Sequence, residues 1–342
     1  IGSVGVTPAL KEKVFENIQK HLGVRLPTSP GLDTIASVDA AYNGSINVAV
    51  LLGGNLFGAT PNRDYTEKAL DNIPFKVFLN TTMNKGHVSG INKEVIILSV
   101  AARDEEKQST TQESMFSFVR LSDGGIVRLN NVRSEVDIIS DIAIGVLGKK
   151  QLDSLHFGGT GSRSLEKLFK EFKNHTNIRK AIAATIPGFE KMETIDDTRE
   201  EFQIEGRTFH EPEFATKDKK ANFRVVAMPR SKNGWFRLMT VRSEGQFNTI
   251  IYEEKDIFRG QDERWVVMMN KEDIKSLGLK ENDKVKLQNG VGKMENVKVR
   301  EFDIARGNLM AYYPEANVLI PTDTDGRSKT PAFKSTLISV CL

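Results

Sequence analysis

Read for the spacing of apolar and polar positions, the first 150 residues alternate between short apolar runs and amphipathic stretches. Ile46–Asn55 (INVAVLLGGN) is a run of β-branched and aliphatic residues closed by two glycines and an asparagine. That is the pattern of a strand buried on both faces. Phe75–Leu79 and Val95–Val100 repeat it. Helices are predicted around these runs. Over Thr7–Gly23, Thr7 precedes Pro8, and Leu10, Val14, Ile18 and Leu22 recur at steps of four. A short helix is predicted over Asp33–Asn43. Another is capped by Asp64 or Thr66 and runs through Leu70. Ser134–Leu147 has Ser134 as N-cap, apolar positions at Val136, Ile139, Ile142 and Val146, and Gly148 beyond its end. Strand, helix, strand, connection, strand is the rhythm of a parallel sheet. Met115–Leu121 and Ile126–Leu129 alternate about Asp123-Gly124-Gly125 and predict a β-hairpin.

The pattern then changes. His156–Ser164 (HFGGTGSRS) is glycine-rich and reads as a flexible linker, with an anion cradle as the other reading. Helices are predicted over Leu165–Phe172 and Asn177–Ile186, stopped by Pro187-Gly188, and Glu190–Lys220 is charged and weakly patterned. From about Ala221 the apolar period becomes two. Strands are predicted at Phe223–Met228, Phe236–Val241, Arg264–Met269, Lys284–Leu287, Val297–Phe302, Asn308–Tyr312 and Ser335–Val340, with one helix at Lys271–Leu277. Many short strands with turn signals predict a closed barrel. The chain thus divides into residues 1–150, 151–220 and 221–342.

Composition narrows the function. The 48 basic and 45 acidic residues leave a net charge of +3, which is no nucleic-acid footprint. No apolar stretch approaches the ~18 residues of a membrane span. The one cysteine, Cys341, excludes an intrachain disulfide framework and a CxxC metal site within this chain. It reads as a small apolar residue ending a strand rather than a nucleophile. No signal peptide follows Ile1, so a cytoplasmic location is expected, and a start without methionine points to a processed chain or a piece of a longer one.

The candidate chemistry lies at strand ends. In an open α/β sheet, ligands sit beyond the carboxyl ends of strands. Three such ends here carry polar residues: Gly53–Asn55, Asn80–Asn84 and Ser99–Arg103. Glycines there let the backbone approach something bulky, although a Gly-Gly-Asn is equally a plain turn. In the barrel region two polar loops stand out, Arg242–Thr249 (RSEGQFNT) and Asn317–Lys334. GxGxxG is absent, which argues against an NAD-dependent enzyme.

The segments LLGGNLFGATPN (51–62), NTTMNKGH (80–87), QESMFSFVRLSDG (112–124), RSEVDII (133–139) and RSEGQFNTIIY (242–252) resemble the C-terminal half of molybdopterin oxidoreductases. So do RWVVMMNKEDIKSLGLKENDKVKL (264–287) and YYPEANVLIPTD with KTPAFKS (312–335). The nearest branch is the formate dehydrogenase-like alpha subunits. The resemblance implies an α/β fold: a Rossmann-like parallel-sheet domain followed by a C-terminal double-psi β-barrel. It also implies two molybdopterin guanine dinucleotides around one molybdenum or tungsten.

Carried over residue by residue, Gly53, Gly54 and Asn55 match the family loop against a guanosine diphosphate moiety. Asn80, Thr82, Asn84 and His87 match the next strand-end motif. Arg242, Gln246, Phe247, Asn248 and Thr249 match the barrel loop that meets a pterin or its phosphates, and Asn317 and Lys334 match the closing loop. The residue types suit this: glycine N–H groups, Arg and Lys for a diphosphate, amides for guanine and pterin edges. A complete family member is roughly twice as long. Its N-terminal half carries the metal-ligating residue and, in many members, an iron–sulfur cluster. The resemblance therefore implies a chain that catalyses only with an N-terminal half or partner subunit, on a small substrate such as formate. It assigns no catalytic residue and no metal ligand to this chain. The alternative is a non-catalytic binding or scaffold module that retains the fold.

Overall fold

The computed structural model describes residues 7–114, 116–154, 164–205, 214, 216–228 and 232–342. The glycine-rich run of 156–163 therefore lies outside the described residues, as does Met115. Along the chain, α1 (Pro8–Leu22) is followed by α2 (Thr34–Tyr42), β1 (Val48–Leu52), α3 (Leu56–Ala59), α4 (Arg63–Asn72), β2 (Phe75–Asn80) and β3 (Glu94–Ser99). Next come β4 (Thr110–Glu113), β5 (Phe118–Ser122), α5 (Glu135–Ser154), α6 (Leu165–Phe172), α7 (His175–Thr185), α8 (Ile195–Thr198) and β6 (Phe202–Gln203). The last stretch holds β7 (Phe236–Val241), β8 (Val266–Met269), α9 (Lys271–Ser276), β9 (Lys284–Gln288), β10 (Lys293–Glu301), β11 (Asn308–Tyr312) and β12 (Thr336–Cys341). Two compact units result, each drawn from two stretches: Ile1–Pro30 with Ser99–Val226, and Gly31–Leu98 with Ala227–Leu342.

In the first unit, Thr7 caps α1 by accepting the Leu10 N–H at 3.1 Å, and Gly23 ends the helix in the left-handed region. α1 lies against α7, where Asn17 donates to the Thr185 carbonyl at 3.2 Å. The hairpin departs from its expected register. β4 and β5 pair around residues 114–117, not around Asp123-Gly124-Gly125. The glycines serve a different contact: a Cβ on Gly124 or Gly125 would stand 1.9 Å from the Lys107 carbonyl oxygen or 2.1 Å from that of Asp104. Their backbone lies against the 104–107 segment, and Gly is the residue that permits it. The charged stretch after Pro187 packs more than its pattern suggests. Phe189, Met192, Ile195, Phe202 and Ile204 form a buried cluster with Val119. The buried Arg179 also forms a two-pronged ion pair with Asp196.

In the second unit, β1, β2 and β3 form a sheet in that order, with β1 and β2 parallel and Val50 beside Val77. α2 and α4 cover one face through Val38, Ala41, Ala69, Leu70 and Ile73, while Val48, Val50 and Leu52 of β1 are exposed, so β1 is not buried on both faces as its apolar run predicts. The cap of α4 is Asn62, in the left-handed region, rather than Asp64 or Thr66. Thr66 is buried within the helix and donates its hydroxyl to the Pro61 carbonyl. Lys76 is fully buried in β2, and its Nζ donates to the Leu70 and Ile73 carbonyls at 2.9 Å each. Burial holds its pKa below the ordinary lysine value. It satisfies carbonyls left open at the end of α4.

β7 to β12 close into a six-stranded barrel in the order β10-β8-β11-β7-β12-β9. The pairs β10–β8 and β11–β7 are parallel, while β11–β8, β12–β7, β12–β9 and β10–β9 are antiparallel. Its interior holds Leu238, Val267, Met269, Leu287, Val297, Leu309 and Ile338. Val266, Met268, Met310 and Tyr312 are buried on the other face of their strands, so these strands are apolar throughout rather than alternating. Phe223–Met228 forms no strand. It runs unpaired, with Phe223 and Val225 fully solvent-exposed. The period-two pattern supplied that expectation, and a local pattern provides no pairing partner. Among the described residues, no helix is long and apolar enough to cross a membrane.

Candidate functional site

The predicted residues of the α/β part gather at the carboxyl ends of β1 and β2. Gly53 donates its N–H to the Leu79 carbonyl at 2.8 Å. Gly53 and Gly54 have φ of 63° and 74°, and a Cβ on either would meet nothing within 4 Å. The pair is therefore required for backbone conformation, and it leaves open space above the turn. Asn55 follows as the cap of α3, its Oδ1 accepting the Gly58 N–H at 2.8 Å. Asn84 ties the second loop to the first by donating to the Gly54 carbonyl at 3.1 Å. Together with Leu51, Phe57, Phe78 and His87, these residues line a small recess.

His87 lies at its base, 3% exposed. Its Nδ1 accepts the Asn84 backbone N–H at 2.9 Å. Its Nε2 lies 2.5 Å from the Asn80 side-chain amide nitrogen. Burial holds the imidazole below its usual pKa, the Asn84 contact opposing it. Asn80, Asn84 and His87 thus brace the Gly53–Asn55 loop, while Thr82 is exposed on the connecting loop.

The barrel loop after β7 divides by direction. Gln246 turns inward: its Oε1 accepts from Ser243 N at 2.9 Å, and its Nε2 donates to the Asn248 and Tyr313 carbonyls at 2.7 and 2.8 Å. Its amide is engaged in shaping the loop. Thr249 is 2% exposed, and among the described residues its hydroxyl has no hydrogen-bond partner. Arg242, Phe247 and Asn248 face outward. The Arg242 guanidinium lies 5.4 Å from the Tyr313 ring centre, and the Tyr313 hydroxyl donates to Asn248 Oδ1 at 2.9 Å. Asn248 itself is left-handed, with φ of 51°.

Lys334 joins this group through its Nζ, which donates to the Thr240 carbonyl. Burial lowers its pKa, and the charges of Arg242 and Arg259 lower it further. Arg259 is paired with Asp256 at 2.7 Å. Arg242 and Lys334 therefore face the same region as cations, beside an aromatic ring.

Asn317 has another place. It is fully buried, donates its side-chain N–H to the Gly58 carbonyl at 2.7 Å, and leaves its Oδ1 without a partner. Its backbone carbonyl accepts the Asn62 N–H at 3.0 Å. It joins the loop after β1 to the barrel turn after β11. Arg63 makes the same connection by donating to the Pro314 carbonyl at 2.9 Å.

Sequence reasoning missed Arg63, Arg259, Arg264, Tyr313 and Glu315, although all but Arg63 and Arg259 fall within the segments that carry the resemblance. One signal was available for Arg264. A charge immediately before WVVMM, a fully apolar strand, must be paired if it is buried. Among the described residues, no group of three His, Cys, Asp or Glu side chains is placed to hold a metal ion.

A parallel sheet with a glycine turn at one strand end, joined to a six-stranded barrel, defines the architectural class. Residues 236–337 match the model of the Molydopterin dinucleotide binding domain. An uncharacterized oxidoreductase of Mycobacterium tuberculosis is 30% identical over 98% of this chain and 44% of its own length. Protein YdeP of Escherichia coli is 26% identical over 97% of this chain and 44% of its own length. Acetylene hydratase from Pelobacter acetylenicus has the same fold, with a TM-score of 0.63 at 12% identity over 98% of this chain and 50% of that one. The barrel carries the Molydopterin dinucleotide binding domain, and the chain as a whole is similar to part of oxidoreductases that are more than twice its length. It spans less than half the length of the curated relatives it matches.

Proposed function

We propose that this chain holds molybdopterin guanine dinucleotide as part of a molybdenum or tungsten oxidoreductase of the formate dehydrogenase type. The observation that carries the reading is the convergence of Arg242 and Lys334 beside Tyr313, inside the stretch that matches the dinucleotide-binding domain.

The residues fit the group. A diphosphate would relieve the like-charge repulsion between Arg242 and Lys334, with Arg242 able to grip it bidentately. The open, positive-φ Gly53-Gly54 turn leaves room for a phosphate or base against backbone. Thr249 Oγ1 and Asn317 Oδ1 are buried polar atoms still lacking partners, and such atoms call for a ligand or ordered water. When bound, the pterin-held metal supplies two-electron redox chemistry toward formate or a related small substrate. This chain's residues bind and orient the dinucleotide and set the charge around it. The remaining parts of the site belong to an N-terminal half or partner subunit.

Thermal unfolding with millimolar GDP, and with NAD as control, tests this. At 100 times its dissociation constant a ligand of the folded state adds about 2.7 kcal/mol. A rise with GDP alone is expected. A rise with NAD alone overturns the proposal, and no rise with either favours a scaffold that retains only the fold.

A further inference from the structure

Arg264 has no part in the reading so far, yet among the described residues of this unit it makes six side-chain hydrogen bonds. It is 3% exposed. Its Nε and one terminal nitrogen grip the Glu315 carboxylate at 2.7 and 3.1 Å. The other terminal nitrogen reaches Ser243 Oγ at 2.7 Å and the Glu253 carbonyl at 3.4 Å. Further bonds run to Gln246 Oε1 at 3.2 Å and the Tyr313 carbonyl at 2.7 Å. The guanidinium carbon lies 4.4 Å from the Tyr252 ring centre and 4.8 Å from that of Tyr312.

These partners come from two segments only. Ser243, Gln246, Tyr252 and Glu253 belong to the loop after β7. Tyr312, Tyr313 and Glu315 belong to the end of β11 and its turn. Arg242 and Asn248 of the first segment and Tyr313 of the second form the outward-facing group. Arg264 meets that group only through the Tyr313 backbone carbonyl; its other N–H donors are directed at inner partners.

We propose that Arg264 is a positioning residue that locks the 242–252 loop to the 312–315 turn, so that Arg242, Asn248 and Tyr313 stand ready before a ligand arrives. The inference rests on the dinucleotide-binding reading above. Only a planar, five-donor cation can fill this place. Lys carries the charge but has neither the fork for Glu315 nor a face for two tyrosine rings.

The test compares the wild-type chain with R264K and with E315Q, which keeps the shape of the partner and removes its charge. Hydrogen exchange is followed in peptides covering 243–252 and in β10, and GDP affinity is measured by calorimetry. The expected result is at least tenfold faster exchange in the 243–252 loop for both variants, with exchange in β10 unchanged. GDP binding should weaken tenfold or more, and Lys should fail to rescue it. Wild-type exchange in the loop, or a loosened loop with unchanged GDP affinity, overturns the proposal. So does exchange that rises equally in β10, which marks Arg264 as general scaffold. If R264K does not fold, E315Q decides by the same criteria. Failure of the wild-type chain to bind GDP sinks the dinucleotide reading instead, while the exchange data still decide whether Arg264 locks the loop.

Discussion

The Gly53–Asn55 turn depends on Gly86, in the second loop. A Cβ on Gly86 would lie 2.4 Å from Asn55 Oδ1 and 3.1 Å from Asn84 Oδ1. Ordinary carbon–oxygen contact needs about 1 Å more than the first of these. In G86A, therefore, either Asn55 withdraws or the backbone moves. Withdrawal breaks the 2.8 Å bond from Gly58 N, a cap worth about 1 kcal/mol. Residual crowding against Asn84 adds up to about 2 kcal/mol. G86A should therefore lower stability by about 1–3 kcal/mol in urea unfolding at unchanged m. The diagnostic is a double-mutant cycle. N55A alone loses the cap, about 1 kcal/mol. With the Asn55 amide gone, G86A meets only Asn84, so the double variant should fall short of the sum of the two single variants by the shared cap, a coupling of about 1 kcal/mol. G53A is the contrast. Its Cβ meets nothing within 4 Å, so its cost, about 1–2 kcal/mol, is purely that of φ +63°. It should add to N55A without coupling. Additive free energies for N55A and G86A would refute the packing argument, because the two sites could then not share an atom's space.

Three further outcomes are expected. His87 is buried and held below its usual pKa, so the unfolded chain binds a proton near pH 6.5 that the folded chain excludes. Its contribution is full above that pH and falls below it by at most about 1.4 kcal/mol per pH unit; H87Q should flatten this part of the profile when urea unfolding is compared at pH 7.5 and 5.5. In Y312F, Asp256, which is 1% exposed, loses a 2.8 Å donor; urea unfolding should show a loss of about 1.5–3 kcal/mol, as for a hydrogen bond to a charged group. K334A and R242A should each weaken GDP binding at least tenfold by calorimetry and reduce its salt dependence, while urea midpoints shift little.

The architecture was largely legible because both periodicities were strong. Runs such as VAVLL and KVFLN, with helical spacing between them, place β1, β2 and β3 correctly, and most barrel strands fall within a residue or two of their expected bounds. The errors share a cause. At 123–125 two glycines mimic a hairpin turn when their real constraint is close backbone contact with 104–107. At 223–228 an apolar, β-prone run has no neighbour to pair with. At 62 the cap is an asparagine whose backbone N–H also bonds to the 317 and 320 carbonyls, a long-range contact that no local window contains. Local patterns report what a segment prefers, and these three were settled by something distant.

The site divides the same way, and the division has a physical reason. The residues nominated from loops are mostly those whose types suit a ligand directly, such as Gly53, Arg242 and Lys334. Asn84, His87 and Gln246 were nominated for the same role, but their hydrogen bonds go to the loops themselves. A short polar loop that faces a ligand on one side must satisfy its own backbone on the other, so half of its polar side chains point inward. Spacing does not distinguish the two directions. Nor does it reveal Arg264 or Glu315, since a buried ion pair joins positions 51 residues apart. Because Arg264 bonds to Gln246 and to the Tyr313 carbonyl, the outward-facing group is tied to residues that are themselves buried. A substitution in the inner set should therefore affect binding as strongly as one in the outer set, but through the order of the loop rather than through lost contacts.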